Sequence, residues 1–146
     1  MQVGTFGPGP DFSAAADKSI TIRAEVLEPP DGESLSKYLG KLLQADLKSA
    51  DKLDDNSPLE VRGLFTASDV DCGFRTGDAS LAAKVSLFKQ GRQIFEKEVS
   101  VSDRWESSIL ADIAIPEAVN HYTGLYDKLV YKLLTDPDFK AAARAP

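Results

Sequence analysis

Three stretches in the middle of the chain carry apolar or small side chains at alternating positions: Leu59, Val61, Gly63, Phe65 and Ala67; Ala79, Leu81, Ala83, Val85 and Leu87; and Phe95, Val99 and Val101. Extended strands repeat every two residues, so each stretch turns one face toward a core and the other toward water. Lys89, Gln90 and Gly91 separate the last two, a link short enough for a hairpin, and three consecutive strands of this kind predict an antiparallel meander. Upstream, Ile20, Ile22, Ala24 and Val26 alternate against Thr21, Arg23 and Glu25 until Pro29 and Pro30 end the run, which gives a fourth strand.

Two segments follow the helical period instead. Leu35, Tyr38, Leu39, Leu42, Leu43 and Leu47 recur three and four apart and form one apolar stripe, with Asp31 or Ser34 as capping oxygen. Val119, Tyr122, Leu125, Tyr126, Leu129 and Leu133 form another, with Pro116 suited to its first turn and Asp136-Pro137 closing it. The order βαβββα is satisfied by an α+β two-layer sandwich, a mainly antiparallel four-stranded sheet with both helices on one face. Residues 18–140 are expected to form this single domain. The glycines and prolines of residues 4–10 mark residues 1–17 as a flexible N-terminal tether, and residues 141–146 as a frayed tail follow from the same reasoning. The stretch 102–115 fits neither period.

Charge narrows the partners. Seventeen basic against twenty-three acidic residues leave a net charge of −6, which opposes nucleic acid and anionic lipid. The densest basic neighbourhood, Lys84, Lys89, Arg92 and Lys97, is interleaved with Glu96 and Glu98 as on a solvated strand. A single cysteine, Cys72, forms no internal disulfide and leaves cytoplasm and periplasm both open. No apolar run approaches the roughly 20 residues that span a bilayer, so the chain as given is expected to be soluble.

Chemical motifs fail one by one. The only histidine, His121, falls on the second helix off its main stripe, and Cys72 lies near Asp69 and Asp71, whose charge raises a thiol pKa. The run Asp69 to Asp78 resembles a calcium loop, but Gly73 comes too early and no glutamate closes the motif. Phosphate-loop, dinucleotide and zinc spacings are absent. The expectation is a protein without catalytic, metal-binding or cofactor-binding residues, and not an enzyme. Asp69, Asp71, Phe74 and Arg75, in a long turn between strands, form the expected interaction surface, with the wetter sheet face as the alternative; Trp105, beyond the last strand, either plugs the sheet edge or adds an interface anchor to that surface.

The layout resembles small lipid-anchored envelope proteins of Gram-negative bacteria, of the YajG-like and transport-auxiliary lipoprotein kind. The residues that carry the resemblance are the N-terminal strand; Ser34-Leu35, Tyr38-Leu39 and Leu42-Leu43 on the first helix; the strand from Leu59 to Phe65; the Gly91 hairpin; and the end from Ala118 to Phe139. The resemblance implies an outer-membrane lipoprotein whose non-catalytic domain faces the periplasm and binds another envelope component, attached through an acylated cysteine. Cys72 departs from that pattern, because it lies inside the domain. The alternative function is a soluble carrier that holds a small apolar molecule between sheet and helices.

Overall fold

The computed structural model describes residues 1–30 and 32–144, in the order β1 (Gln2–Pro8), β2 (Ile20–Ile22), β3 (Glu25–Leu27), α1 (Leu35–Ser49), β4 (Leu59–Cys72), β5 (Thr76–Lys89), β6 (Arg92–Glu106), α2 (Ala111–Leu134) and α3 (Pro137–Arg144). Strands β1, β4, β5 and β6 lie side by side in that order, with β4 to β6 antiparallel and β1 parallel to β4. The molecule is α+β with a mainly antiparallel four-stranded sheet, as the alternation predicts. Its fourth strand is a different one.

The segment expected to be a tether supplies that strand. Phe6 is 5% exposed, and its ring fills a slot left by two glycines: a Cβ on Gly63 of β4 would lie 2.4 Å from the ring, and one on Gly40 of α1 would lie 3.1 Å from it. Parallel pairing needs a crossover, which α1 provides by packing on β1 and β4. Glycines and prolines hide the strand by lowering its local propensity, and the packing of Phe6 overrides them. The rest of the segment is held as well. The buried Asp17 carboxylate accepts from Ser36 N at 2.8 Å and from Ser36 Oγ at 2.5 Å, placing negative charge at the α1 N-terminus. Ser34 caps the same helix by accepting from Lys37 N at 3.1 Å; the other predicted cap, Asp31, lies outside the described residues.

Three further boundaries differ from expectation. The run from Ile20 to Val26 is folded into a hairpin by a turn at Arg23, φ 55°, and among the described residues β2 and β3 pair only with each other. Helix α2 begins at Ala111, so Pro116 sits in its second turn and not its first. Residues 141–144 of the expected tail belong to α3, anchored by Phe139, whose ring meets Phe95 edge-on at 5.5 Å; 145 and 146 lie outside the described residues. The β5–β6 hairpin turns on Gln90 and Gly91, both at positive φ as a tight two-residue turn requires.

One layer of side chains fills the space between sheet and helices. Val61, Phe65, Leu81, Val85 and Leu87 meet Leu39, Leu43, Tyr122, Leu125, Tyr126 and Leu129, each 0–1% exposed. The gap that a carrier would use is therefore occupied. Two tyrosine hydroxyls share this layer, Tyr122 bonding Ser68 Oγ at 2.6 Å and Tyr126 at 2.7 Å; burial pushes both phenols above their ordinary pKa and keeps them neutral. The opposite sheet face is polar, with Lys84 paired to Glu96 and Arg62 paired to Glu60 and laid over Phe88.

Candidate docking surface

The long turn expected between Asp69 and Asp78 is mostly strand. β4 continues to Cys72 and β5 starts at Thr76, which leaves only Gly73, Phe74 and Arg75 between them. A bulge between Phe65 and Ala67 shifts the register, so Ser68 pairs with Leu81 and faces the core while Asp69 and Asp71 are exposed on strand β4. Of the predicted surface, Phe74 and Arg75 occupy the exposed turn. Trp105 lies beside that turn but is buried in the core. It is the next-to-last residue of β6 at 9% exposure, over Gly77, where an added Cβ would come 2.3 Å from the indole. A tryptophan buried this way plugs the sheet and is not an interface anchor.

Arg23 gathers the neighbouring turns. Its guanidinium donates from Nε to Cys72 O at 3.1 Å, from Nη1 to Ile109 O at 3.2 Å, and from Nη2 to Gly73 O at 3.2 Å and Ser108 O at 2.9 Å. Its Cζ also lies 5.1 Å from the Phe74 ring centre. One side chain on the β2–β3 turn thus ties down the β4–β5 turn and the link from β6 to α2, and Ser107 N donating to Arg75 O at 2.8 Å adds a second tie. The planar fork suits this task, since it presents several donors in fixed directions. Around it stand Val26, Phe74, Ile109, Leu110 and Ile113, exposed by 61%, 68%, 71%, 59% and 45%. Sequence reasoning missed Arg23, Ile109 and Leu110. The available signal was an arginine at a turn position where glycine is favoured, followed far along the chain by an apolar pair in the stretch that fits neither period.

Beneath this end lies the only histidine. His121 stacks on Trp105 with ring centres 4.2 Å apart and planes 1° from parallel, and its Nδ1 lies 2.6 Å from Asp103 Oδ2. Lys128 Nζ approaches the same carboxylate at 3.6 Å. The bond from His121, above all, holds the Asp103 carboxyl below its ordinary pKa. An imidazole oriented by a carboxylate supplies two of the three members of a nucleophilic triad, but no hydroxyl or thiol reaches His121 Nε2 among the described residues. Cys72 Sγ instead contacts Ala114 O at 3.6 Å, and no cluster of three His, Cys, Asp or Glu fit for a metal occurs among the described residues.

No protein-family model and no curated protein matches the sequence. Solved structures match it in shape. A candidate lipoprotein of Caulobacter crescentus CB15 superposes with a TM-score of 0.53 at 14% identity, covering 73% of this chain and 85% of that one. A Xanthomonas campestris protein of family DUF330 does so with a TM-score of 0.61 at 13% identity, over 96% and 87% of the two chains. This chain has their fold. A minor lipoprotein of Acinetobacter baumannii agrees at a TM-score of 0.50 and 11% identity, over 90% and 88%. The resemblance to small envelope lipoproteins therefore holds at the level of the fold.

Proposed function

We propose that this chain is the periplasm-facing, non-catalytic domain of a bacterial outer-membrane lipoprotein, and that it docks on another envelope component through the end clamped by Arg23. The fold shared with lipoproteins of Caulobacter and Acinetobacter supports the envelope address. One observation carries the docking: Val26, Phe74, Ile109, Leu110 and Ile113 are all exposed and all stand at the end where Arg23 joins the turns. Scattered exposed apolar residues are ordinary in a folded protein, but a gathered set on a braced support is the form of a binding face. That His121 meets no hydroxyl or thiol among the described residues supports the non-catalytic reading.

Photo-crosslinking in the source organism tests the docking. A photoreactive residue at Phe74 or Ile109 should give a discrete adduct with an envelope component, and the same residue at Lys84 on the polar sheet face should not. Equal labelling from both faces, or none from the apolar end, would remove the docking reading. Labelled palmitate should enter the product of the native gene, and failure to incorporate it would remove the lipid anchor.

A further inference from the structure

A groove of about 410 Å³ opens beside the apolar end, with β3 and Ile22 of β2 as one wall and the first turns of α2 as the other. Glu25, Val26 and Leu27 all line it. Side chains of consecutive strand residues point to opposite faces, so all three share one wall because the strand presents its edge. From α2, Ala111, Ile115 and Val119 are spaced four apart and form a single apolar face.

The hairpin register shows what that edge offers. Ile22 pairs with Glu25 across the two-residue turn, and Thr21 pairs with Val26. In such a hairpin the closing pair exchanges its hydrogen bonds and the next pair exchanges none, so Val26 N–H and C=O point away from β2. Among the described residues, no backbone bond from outside the hairpin reaches Glu25, Val26 or Leu27. The rim is acidic. Glu25 and Asp112 line it with no lysine or arginine, and neither carboxylate has an ion-pair partner among the described residues.

Resting on the docking reading above, we infer that this groove takes an extended segment of a protein partner that adds a third strand to the β2–β3 hairpin. The segment lays alternate apolar side chains on Ile115 and Val119 and sets a lysine or arginine against Glu25 and Asp112. A helical occupant would leave Val26 N–H and C=O unanswered, and an anionic lipid would meet two like charges.

The test uses nine-residue peptides displayed on phage, selected on the whole folded protein and compared on Val26→Pro. Proline removes the outward N–H and leaves the bonds of the Ile22–Glu25 and Ile20–Leu27 pairs in place. Selected peptides should alternate apolar residues with others, carry lysine or arginine, slow hydrogen exchange at Val26, and bind Val26→Pro at least tenfold more weakly. Binding should also weaken several-fold on Glu25→Gln with Asp112→Asn. If Val26→Pro melts early, the selected peptide, N-methylated on alternate residues, replaces it: a tenfold loss on wild type for one set of positions and not the other is expected. No enrichment, a helical period, or binding indifferent to both backbone changes would overturn the inference. Crosslinking from Phe74 that persists alongside such a failure would leave docking standing and remove only the groove; its loss would remove docking itself.

Discussion

Replacing Arg23 with alanine removes four hydrogen bonds to the carbonyls of Cys72, Gly73, Ser108 and Ile109, together with the cation over Phe74. The site is partly exposed, so the released carbonyls regain water and each bond counts at the low end, about 0.5–1 kcal/mol. The exposed ring contact adds about 0.5 kcal/mol. Arg23→Ala should therefore destabilise by about 3 kcal/mol and, for a chain of this size, lower Tm by roughly 9 °C. Two companion variants separate the terms. Arg23→Gly loses the same bonds but relieves the positive φ of 55°, and should recover about 1 kcal/mol of the loss. Arg23→Lys keeps the charge without the fork and should fall near the glycine variant. Urea unfolding followed by circular dichroism gives the free energies, and amide exchange locates the loosening, expected at residues 73–75 and 108–110. An alanine variant within 0.5 kcal/mol of wild type would refute the clamp, and a glycine variant less stable than alanine would refute the strain argument.

Other variants probe the first strand, the plugged sheet edge and the carboxylate pairs. Phe6→Ala should destabilise by about 3–4 kcal/mol in urea unfolding, where a residue in a tether would change almost nothing. Gly77→Ala forces a methyl against Trp105 and should cost about 1–3 kcal/mol, with a red shift of tryptophan emission as the indole is displaced; unchanged emission and stability would count against the plugged edge. Asp103 and Asp136 are both held below the ordinary carboxylate range, chiefly by His121 and Lys97 respectively, so their folded pKa values lie under the unfolded ones. The stabilisation is complete above the unfolded pKa and is lost as pH falls below about 4 through the folded value. Asp103→Asn should accordingly flatten acid unfolding, and an unaltered acid transition would contradict its pairing with His121.

The parts of the fold that could be read from sequence are those where one periodicity runs unbroken. Val61 to Phe65 and Ala79 to Leu87 alternate cleanly because each strand buries one face. Leu35 to Leu47 holds a single stripe for the same reason. Where a local irregularity breaks the period, the pattern misleads: the bulge after Phe65 inverts the alternation and turns the end of β4 into an apparent loop. The strand at Gln2–Pro8 was hidden differently. Its evidence lies not in its own residues but in Gly40 and Gly63, mid-helix and mid-strand glycines that mark where the Phe6 ring comes close. For the candidate surface, Phe74 and Arg75 were visible as turn residues. Arg23 was not, because its role depends on carbonyls 49 to 86 positions away in the chain. Trp105 could be recognised as conspicuous, but only the register opposite Gly77 shows it to be buried.

The docking proposed for this domain places a partner on its apolar end. Hydrogen–deuterium exchange of the purified protein, with and without detergent-solubilised envelopes of the source organism, addresses it directly. Docking there should add protection at residues 22–27, 73–75 and 108–116, and none on the polar sheet face around Lys84, Glu96 and Glu98. Protection confined to that sheet face, or no protection anywhere, would contradict it.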